Sequence, residues 1–403
     1  MLTARPLIVA ITKSRGLILA IGTHSLAKLR VDHVGSLLRP ESLKQTFMDY
    51  GHDRIDFETL ENAQNDAVAD VVAKQERIGL PVVSDGEYRR INFQVSFSIV
   101  EGWNLWDSSW KGFMANPSSI SKGEAPHSRG IDAVESFKIP ATGKLVLTEN
   151  FPLREYKYLA SVAKRPAKAM LMGPDRIAQM CDIPGSKPHY ADADELLSDL
   201  VGIQRKMVGE LVEAGCPYVQ LDEPSYTGYV DRATLERMAA RGEDPMKNLS
   251  RAIDASNGVI AGLQGKACFG IHICRGNRAS MWHREGAYDG IAELLFSSLD
   301  FDRLLLEYDT ERAGGFEPLR FVREEVVVVL GLVTTKTGTI ETVDELMRRI
   351  ESASRFIDVS RLALSPQCGF ASGIAGNMLS EDQQWRKLEV IQETAQRVWG
   401  ADG

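Results

Sequence analysis

Short apolar runs alternate with amphipathic stretches from residue 30 to the end of the chain. Eight runs stand out, at residues 29–35, 81–87, 168–173, 217–223, 268–274, 303–309, 325–333 and 361–369. Most are continuously apolar, as from Val326 to Leu330, which is the pattern of strands covered on both faces of a parallel sheet. Helical spacing fills intervals at 56–78, 192–214, 342–356 and 381–398. The first of these has acids near its start and Lys74 and Arg77 near its end, which suits the helix dipole, and Gly79-Leu80-Pro81 stops it. Gly215 closes the second as a C-terminal glycine cap. Eight β-then-α units predict a closed (β/α)8 TIM barrel, a fold of ~250 residues before insertions. A doubly wound open sheet is the alternative, but no glycine-rich phosphate loop follows the first run.

Two segments interrupt the alternation. Residues 96–164 are rich in Trp, Ser, Gly and Pro and read as an insertion after the second strand, covering the barrel mouth, with a small hairpin at 135–147. Residues 231–245 are charged and read as a short extra helix with a loop. The first thirty residues differ again, because they carry Arg5, Lys13, Arg15, Lys28 and Arg30 and no acid before Asp32. We read 1–30 as an N-terminal extension, either a loosely attached tail from an upstream start or a transit-like segment. The expected organisation is therefore that extension followed by one catalytic domain over 31–403.

Composition narrows the function classes. A hydrophobic content of 44% in 403 residues supports a large core. A net charge of −8, from 47 basic against 55 acidic residues, lacks the electrostatic footprint of a nucleic-acid binder. No apolar run approaches the ~18 residues needed to cross a bilayer. Five scattered cysteines make no disulfide framework and point to a reducing, cytoplasmic setting, with organelle import left open by the basic extension.

In a barrel, polar residues at the C-terminal ends of the strands converge on one mouth. Here they are Ser36; Asp85 and Glu87; Gly173-Pro174; Asp222 and Glu223; His272 and Cys274; Glu307 and Asp309; Lys336; Gln367 and Cys368. His272 and Cys274 are two apart on a strand, so both side chains lie on one side and can reach one ion. Imidazole with thiolate suits zinc, and carboxylate is also acceptable. Glu307 and Cys368 end two further strands, which gives the set His272, Cys274, Glu307 and Cys368. The competing reading makes Cys274 and Cys368 small buried hydrophobes, as Cys181, Cys216 and Cys268 are taken to be. A zinc site with two thiolates and a labile Glu307 suits activation of a substrate thiol for attack on an alkyl donor. Asp222 and Glu87 are placed to hold a substrate ammonium; a helix cap or rim salt bridge is the alternative for each. Arg275, Arg89 and Arg90 read as solvated charge, with a substrate-carboxylate contact open for Arg275.

Seven segments then match a known family. They are DHVGSLLRP (32–40), VVSDGEYRR (82–90), LMGP (171–174), YVQLDEP (218–224), HICRGN (272–277), LEYDTERAGGFEPLR (306–320) and LSPQCGFAS (364–372). In this order they resemble the catalytic barrel of the cobalamin-independent methionine synthase superfamily, in its short single-barrel form. The resemblance implies that His272, Cys274, Glu307 and Cys368 bind a catalytic Zn2+. It implies also that Gly35, Ser36, Glu87 and Asp222 hold the amino-acid part of homocysteine. The implied reaction moves a methyl group from a methylfolate or related carrier onto the zinc-bound thiolate of homocysteine, giving methionine.

Three departures qualify the donor half. The chain has no room for the second, N-terminal barrel of long members. A histidine assisting methyl transfer there falls at Lys336, and a tryptophan flanking the pterin falls near Met180. The donor is thus a simpler methylfolate, a methylated corrinoid protein or another small methyl compound. An alternative keeps the zinc but attacks an epoxide with another thiol, as in epoxyalkane:coenzyme M transferases. A further reading resembles uroporphyrinogen decarboxylase, which needs no metal. A non-catalytic metal-binding protein is the reading from outside enzymology.

Overall fold

The computed structural model describes residues 23–97, 99–105, 129 and 138–400; residues 1–22 of the extension and much of the 96–164 insertion lie outside these. The strands are β1 (Val100–Glu101), β2 (Val146–Leu147), β3 (Lys168–Met172), β4 (Tyr218–Asp222), β5 (Cys268–Ile273), β6 (Arg303–Glu307), β7 (Val327–Val333) and β8 (Leu362–Pro366). β3 to β8 pair in sequence order, all parallel, and every residue in them is buried. Among the longer helices around this sheet are α1 (Glu41–Gly51), α2 (Phe57–Arg77), α3 (Phe151–Val162) and α4 (Ala193–Glu213). Six of the eight expected strand runs are thus regular strands.

The first two runs close the barrel with bridges instead of ladders. Val31 bridges Leu364 of β8, and Val83 bridges Ala167 just before β3, both parallel. Between the two runs, Leu37 N donates to Gly86 O (3.1 Å) and Ser84 Oγ to Gly35 O (2.7 Å), while the His33 ring contacts Val82 O (3.1 Å). The fold is a TIM barrel, and its irregular quarter is the one carrying Gly35, Ser36 and Glu87.

Sequence logic explains the helix ends. Asp56 caps α2 through Thr59 N, and Lys74 and Arg77 stand in its last turn, as expected from the dipole. Asp192 caps α4 through Glu195 N. Within the expected 231–245 element, residues Arg232–Ala240 form a helix capped by Asp231. The insertion differs from expectation. β2 pairs with β1, antiparallel, so its partner lies at 100–101 and not within 135–147. Residues 135–137 of that expected hairpin lie outside the described residues.

The lumen floor holds an ion cluster. Asp32 accepts from Lys168 Nζ (2.7 Å), Arg303 Nε (3.1 Å) and Tyr218 OH (2.8 Å), with all four residues buried. Burial alone would raise the Asp32 carboxyl; the Lys168 and Arg303 cations override it and hold it well below the usual range. Room for Tyr218 comes from Gly270, where a Cβ would stand 2.7 Å from its hydroxyl. Arg303 has guanidinium protons left over, and the chain before residue 31 takes them: Nη1 donates to Ala27 O (2.7 Å) and Nη2 to Leu29 O (3.0 Å). Leu26 packs there against Val82, Tyr218 and Cys268. Residues 23–30, set apart above as extension, therefore plug the barrel floor, because a buried guanidinium needs their carbonyls.

Two outcomes follow for stability. Asp32→Ala strands two buried cations and costs on the order of 3–5 kcal/mol in denaturant unfolding; a loss under about 1 kcal/mol would show the cluster to be incidental. A chain begun at Val31 melts below one begun at Thr23.

Candidate metal centre

Register levels the site. Asp222 of β4 pairs with His272 of β5, and the mouth-facing residues of β6 and β8 follow in the ladder. His272, Cys274 and Cys368 offer one ligand atom each, all within 4.8 Å of one another, and all three residues are buried. His272 Nδ1 faces Leu305 O (3.3 Å), which orients the ring. Its Nε2 is buried without a hydrogen-bond partner. An orphaned imidazole nitrogen beside two thiols is a donor set that fits a divalent metal such as zinc.

The electrostatics agree with that fit. Contact with Cys368 and with the His272 ring pulls the Cys274 thiol well below its ordinary range, and the same contact pushes Cys368 up. Burial opposes charge on His272, yet Cys274, Asp222 and Glu307 together push the ring upward. The field at this point favours a cation.

Glu307 departs from the expected tetrahedral set. Its carboxylate is outside the group of atoms lying within 4.8 Å of one another. Oε2 accepts from Arg275 N (2.8 Å) and Oε1 from Arg312 Nη2 (3.1 Å). The local reason is the turn after β5, which aims a backbone N–H at Glu307, while Arg312 folds back five residues to reach it. Three of the four expected ligands are therefore clustered, and the fourth is held by other donors.

Beside the cluster lie two buried carboxylates. Asp222 Oδ1 accepts from Gln220 Nε2 (2.6 Å), and Glu87 Oε1 from Arg90 Nη1 (3.2 Å). Glu87 Oε2 has no partner. Burial, then Asp222 against the relief from Arg90, pushes Glu87 up to about 8; burial pushes Asp222 up to about 6. Glu87 has φ 59° and follows Gly86 at φ 67°, so the turn holds a non-glycine residue in the left-handed region. Such strain costs on the order of 1–3 kcal/mol and persists where the surroundings fix it. Here Arg90 fixes it: its guanidinium bridges Glu87 to Glu155 of α3 (Nη2 to Oε2, 2.7 Å) and donates to Met170 O (2.7 Å).

Gly35 and Ser36 reach the same mouth. Phe370 N donates to Ser36 O (2.9 Å), and a Cβ on Gly369 would fall 1.9 Å from Ser36 Oγ, so Ser36 lies against the Cys368 turn. Gly35 has φ 132°, with Met170 filling the space of a side chain.

Several sequence readings change. Arg89, Arg90 and Arg275, read as solvated, are all buried. Arg275 donates to Glu307 O (3.0 Å), Tyr288 OH (3.1 Å) and Gly286 O (2.8 Å) and stacks on Tyr288. These bonds tie its two Nη atoms to the surrounding loops. Glu223 accepts from Asp175 N (3.1 Å) and Ser225 N (3.3 Å) and so takes a capping role, which the sequence raised for its neighbour Asp222. Lys336 Nζ reaches Gly276 O (2.9 Å). Sequence reasoning missed Glu155, which lies 65 residues from Arg90 inside the insertion and has no local signal.

Comparison with known proteins gives the family. The family model for the catalytic domain of cobalamin-independent synthases matches residues 129–380. This chain belongs to that family. It has the single-barrel form: 36% identity over 374 residues to the uncharacterized protein YxjH of Bacillus subtilis covers 93% of this chain and 95% of that one. A methionine synthase of Pyrococcus abyssi is 25% identical over 339 residues, covering 83% and 84%. A Listeria monocytogenes structure, solved as a candidate vitamin-B12 independent methionine synthase, superposes with TM-score 0.70 at 27% identity, covering 92% of this chain and 98% of that one. The family is one of methyltransferases, and the barrel described above is its fold. Among the described residues no helix is long and apolar enough to cross a membrane.

Purified Cys274→Ser and Cys368→Ser proteins should each lose bound zinc, whereas Cys181→Ser, buried elsewhere, keeps it. Equal metal content by elemental analysis in all three would remove the cluster from consideration.

Proposed function

We propose that this synthase-family chain methylates the thiol of homocysteine to methionine, using zinc held by His272, Cys274 and Cys368. The observation that carries this reading is the adjacency of two features: three soft donors within 4.8 Å of one another, and the buried pair Glu87 and Asp222. Zinc bound there supplies a Lewis acid beside which a thiol ionises near neutrality, below its free value of ~8.5.

The chain's own residues do the rest. Glu87 and Asp222 accept the N–H groups of the substrate ammonium, whose charge relieves two carboxylates that burial disfavours. Gly35 and Ser36 line the carboxylate end of the substrate. Glu307 is the remaining candidate ligand. Both its oxygens already accept hydrogen bonds, so it would be the weakest of the four at holding the metal. The overall balance is simple: the bond from methyl to its carrier breaks, an S–CH3 bond forms, and the thiol proton goes to the nitrogen that a folate frees or, where a corrinoid leaves as Co(I), to water. The carrier is a methylfolate or a methylated corrinoid protein.

Coenzyme M with an epoxide is the second reading, and the charges oppose it. A sulfonate would meet Glu87 and Asp222, and both Nη atoms of Arg275 are already engaged.

Zinc-loaded protein incubated with homocysteine and separate methylfolate or methylcobalamin donors should yield methionine by mass spectrometry. Product only from coenzyme M and an epoxide would overturn the assignment. Asp222→Asn should weaken homocysteine binding about tenfold or more in calorimetric titration, with zinc content unchanged; wild-type affinity would take Asp222 out of the pocket.

A further inference from the structure

Cys274 and Cys368 belong to strands three positions apart in the ladder order, β5–β6–β7–β8. Ladder hydrogen bonds fix neighbouring strands. They do not fix the span across the mouth to the ~0.2 Å that metal ligation tolerates. A second connection makes that span directly.

Lys336, from the loop beyond β7, is buried, and its Nζ donates to Gly276 O (2.9 Å), Asn277 Oδ1 (3.3 Å) and Met281 O (3.4 Å). Asn277 donates in turn from Nδ2 to Gly369 O (2.7 Å) and Ser372 Oγ (3.1 Å). Gly276 and Asn277 follow Cys274 by two and three residues, and Gly369 follows Cys368 directly. The amide cannot be flipped, because its NH2 would then face an ammonium and its oxygen a carbonyl. Gly276 keeps the turn tight: its φ is 92°, and a Cβ would sit 2.2 Å from the His283 ring.

We propose that Lys336 and Asn277 act as one clamp that sets the separation of the Cys274 and Cys368 sulfurs, and so the zinc affinity of the mouth. This rests on the metal reading above. It places Lys336 as a positioning residue and not as the group assisting methyl transfer expected at its position, since each of its ammonium protons has an acceptor in the loop after β5.

Zinc dissociation constants measured by competition with a chromogenic chelator test the clamp. Asn277→Ala and Lys336→Met each weaken zinc by about 10–100-fold, the size of other losses of outer-sphere support. The double variant is no weaker than the worse single one, since both break one device. Asn277→Asp is also weak, because a carboxylate cannot donate to Gly369 O. With cobalt(II) in place of zinc, the sulfur-to-metal absorption band shifts in these variants. Asn150→Ala is the structural control: it removes a comparable buried amide bond, to Met207 O (3.0 Å), and lowers the melting temperature without changing zinc affinity. Wild-type zinc affinity in Asn277→Ala and Lys336→Met, whatever their stability, would overturn the clamp. A wild-type protein that takes up no zinc would overturn the metal reading itself, and the clamp with it.

Discussion

The Asp32 carboxylate is the constraint on which the irregular side of this barrel depends. The segment around it joins the sheet through a single bridge at Val31, so backbone ladders leave its position underdetermined. Asp32 fixes it through contacts to Lys168, Tyr218 and Arg303, on β3, β4 and β6. Buried ion pairs contribute little net stability when compared with apolar packing. What this one contributes is placement. Gly35 and Ser36 lie three and four residues on, against the turn that carries Cys368.

Placement at the mouth then uses two different devices. On β4 and β5 the regular register sets Asp222 level with His272. At the second strand, where the ladder is lost, a strained turn aims Glu87, and Arg90 with Glu155 holds it. The insertion therefore reaches the site through α3, behind the carboxylate it supports.

Much of this was legible in the sequence for identifiable reasons. Continuous apolar runs between capped helices point to a parallel sheet, eight of them without a glycine-rich phosphate loop favour the barrel over the open sheet, and His272 with Cys274 is local, two residues on one strand. Cys368 could be added because strand ends converge. Long-range side-chain supports left no such trace. Arg90 and Arg275 read as surface charge because a guanidinium looks the same in sequence whether water or carbonyls surround it. The plug at 23–30 was set aside for its basic composition, although what matters in it is the carbonyls of Ala27 and Leu29, which every residue type carries. Glu307 shows the converse limit: its strand position was read correctly, but the donors that hold its carboxylate depend on how the following turn folds.

The distribution of charge at the mouth narrows what the pocket receives. Positive side chains are present and already paired with protein groups: Arg90 with Glu87 and Glu155, Arg312 through Nη2 with Glu307 and Asp309, Lys336 with the loop carbonyls. Among the buried groups left without a partner there are the acceptors His272 Nε2, Glu87 Oε2 and Asp85 Oδ2, and the donors Arg275 Nε, Arg312 Nη1 and Gln367 Nε2. Where the open acceptors lie, at the His272 ring and at Glu87, they favour cations and N–H groups. One buried cation would suit the His272 cluster and one ammonium the carboxylate pair. A small molecule carrying both a thiol and an ammonium group meets the two demands at once, which a sulfonate or a phosphate cannot do.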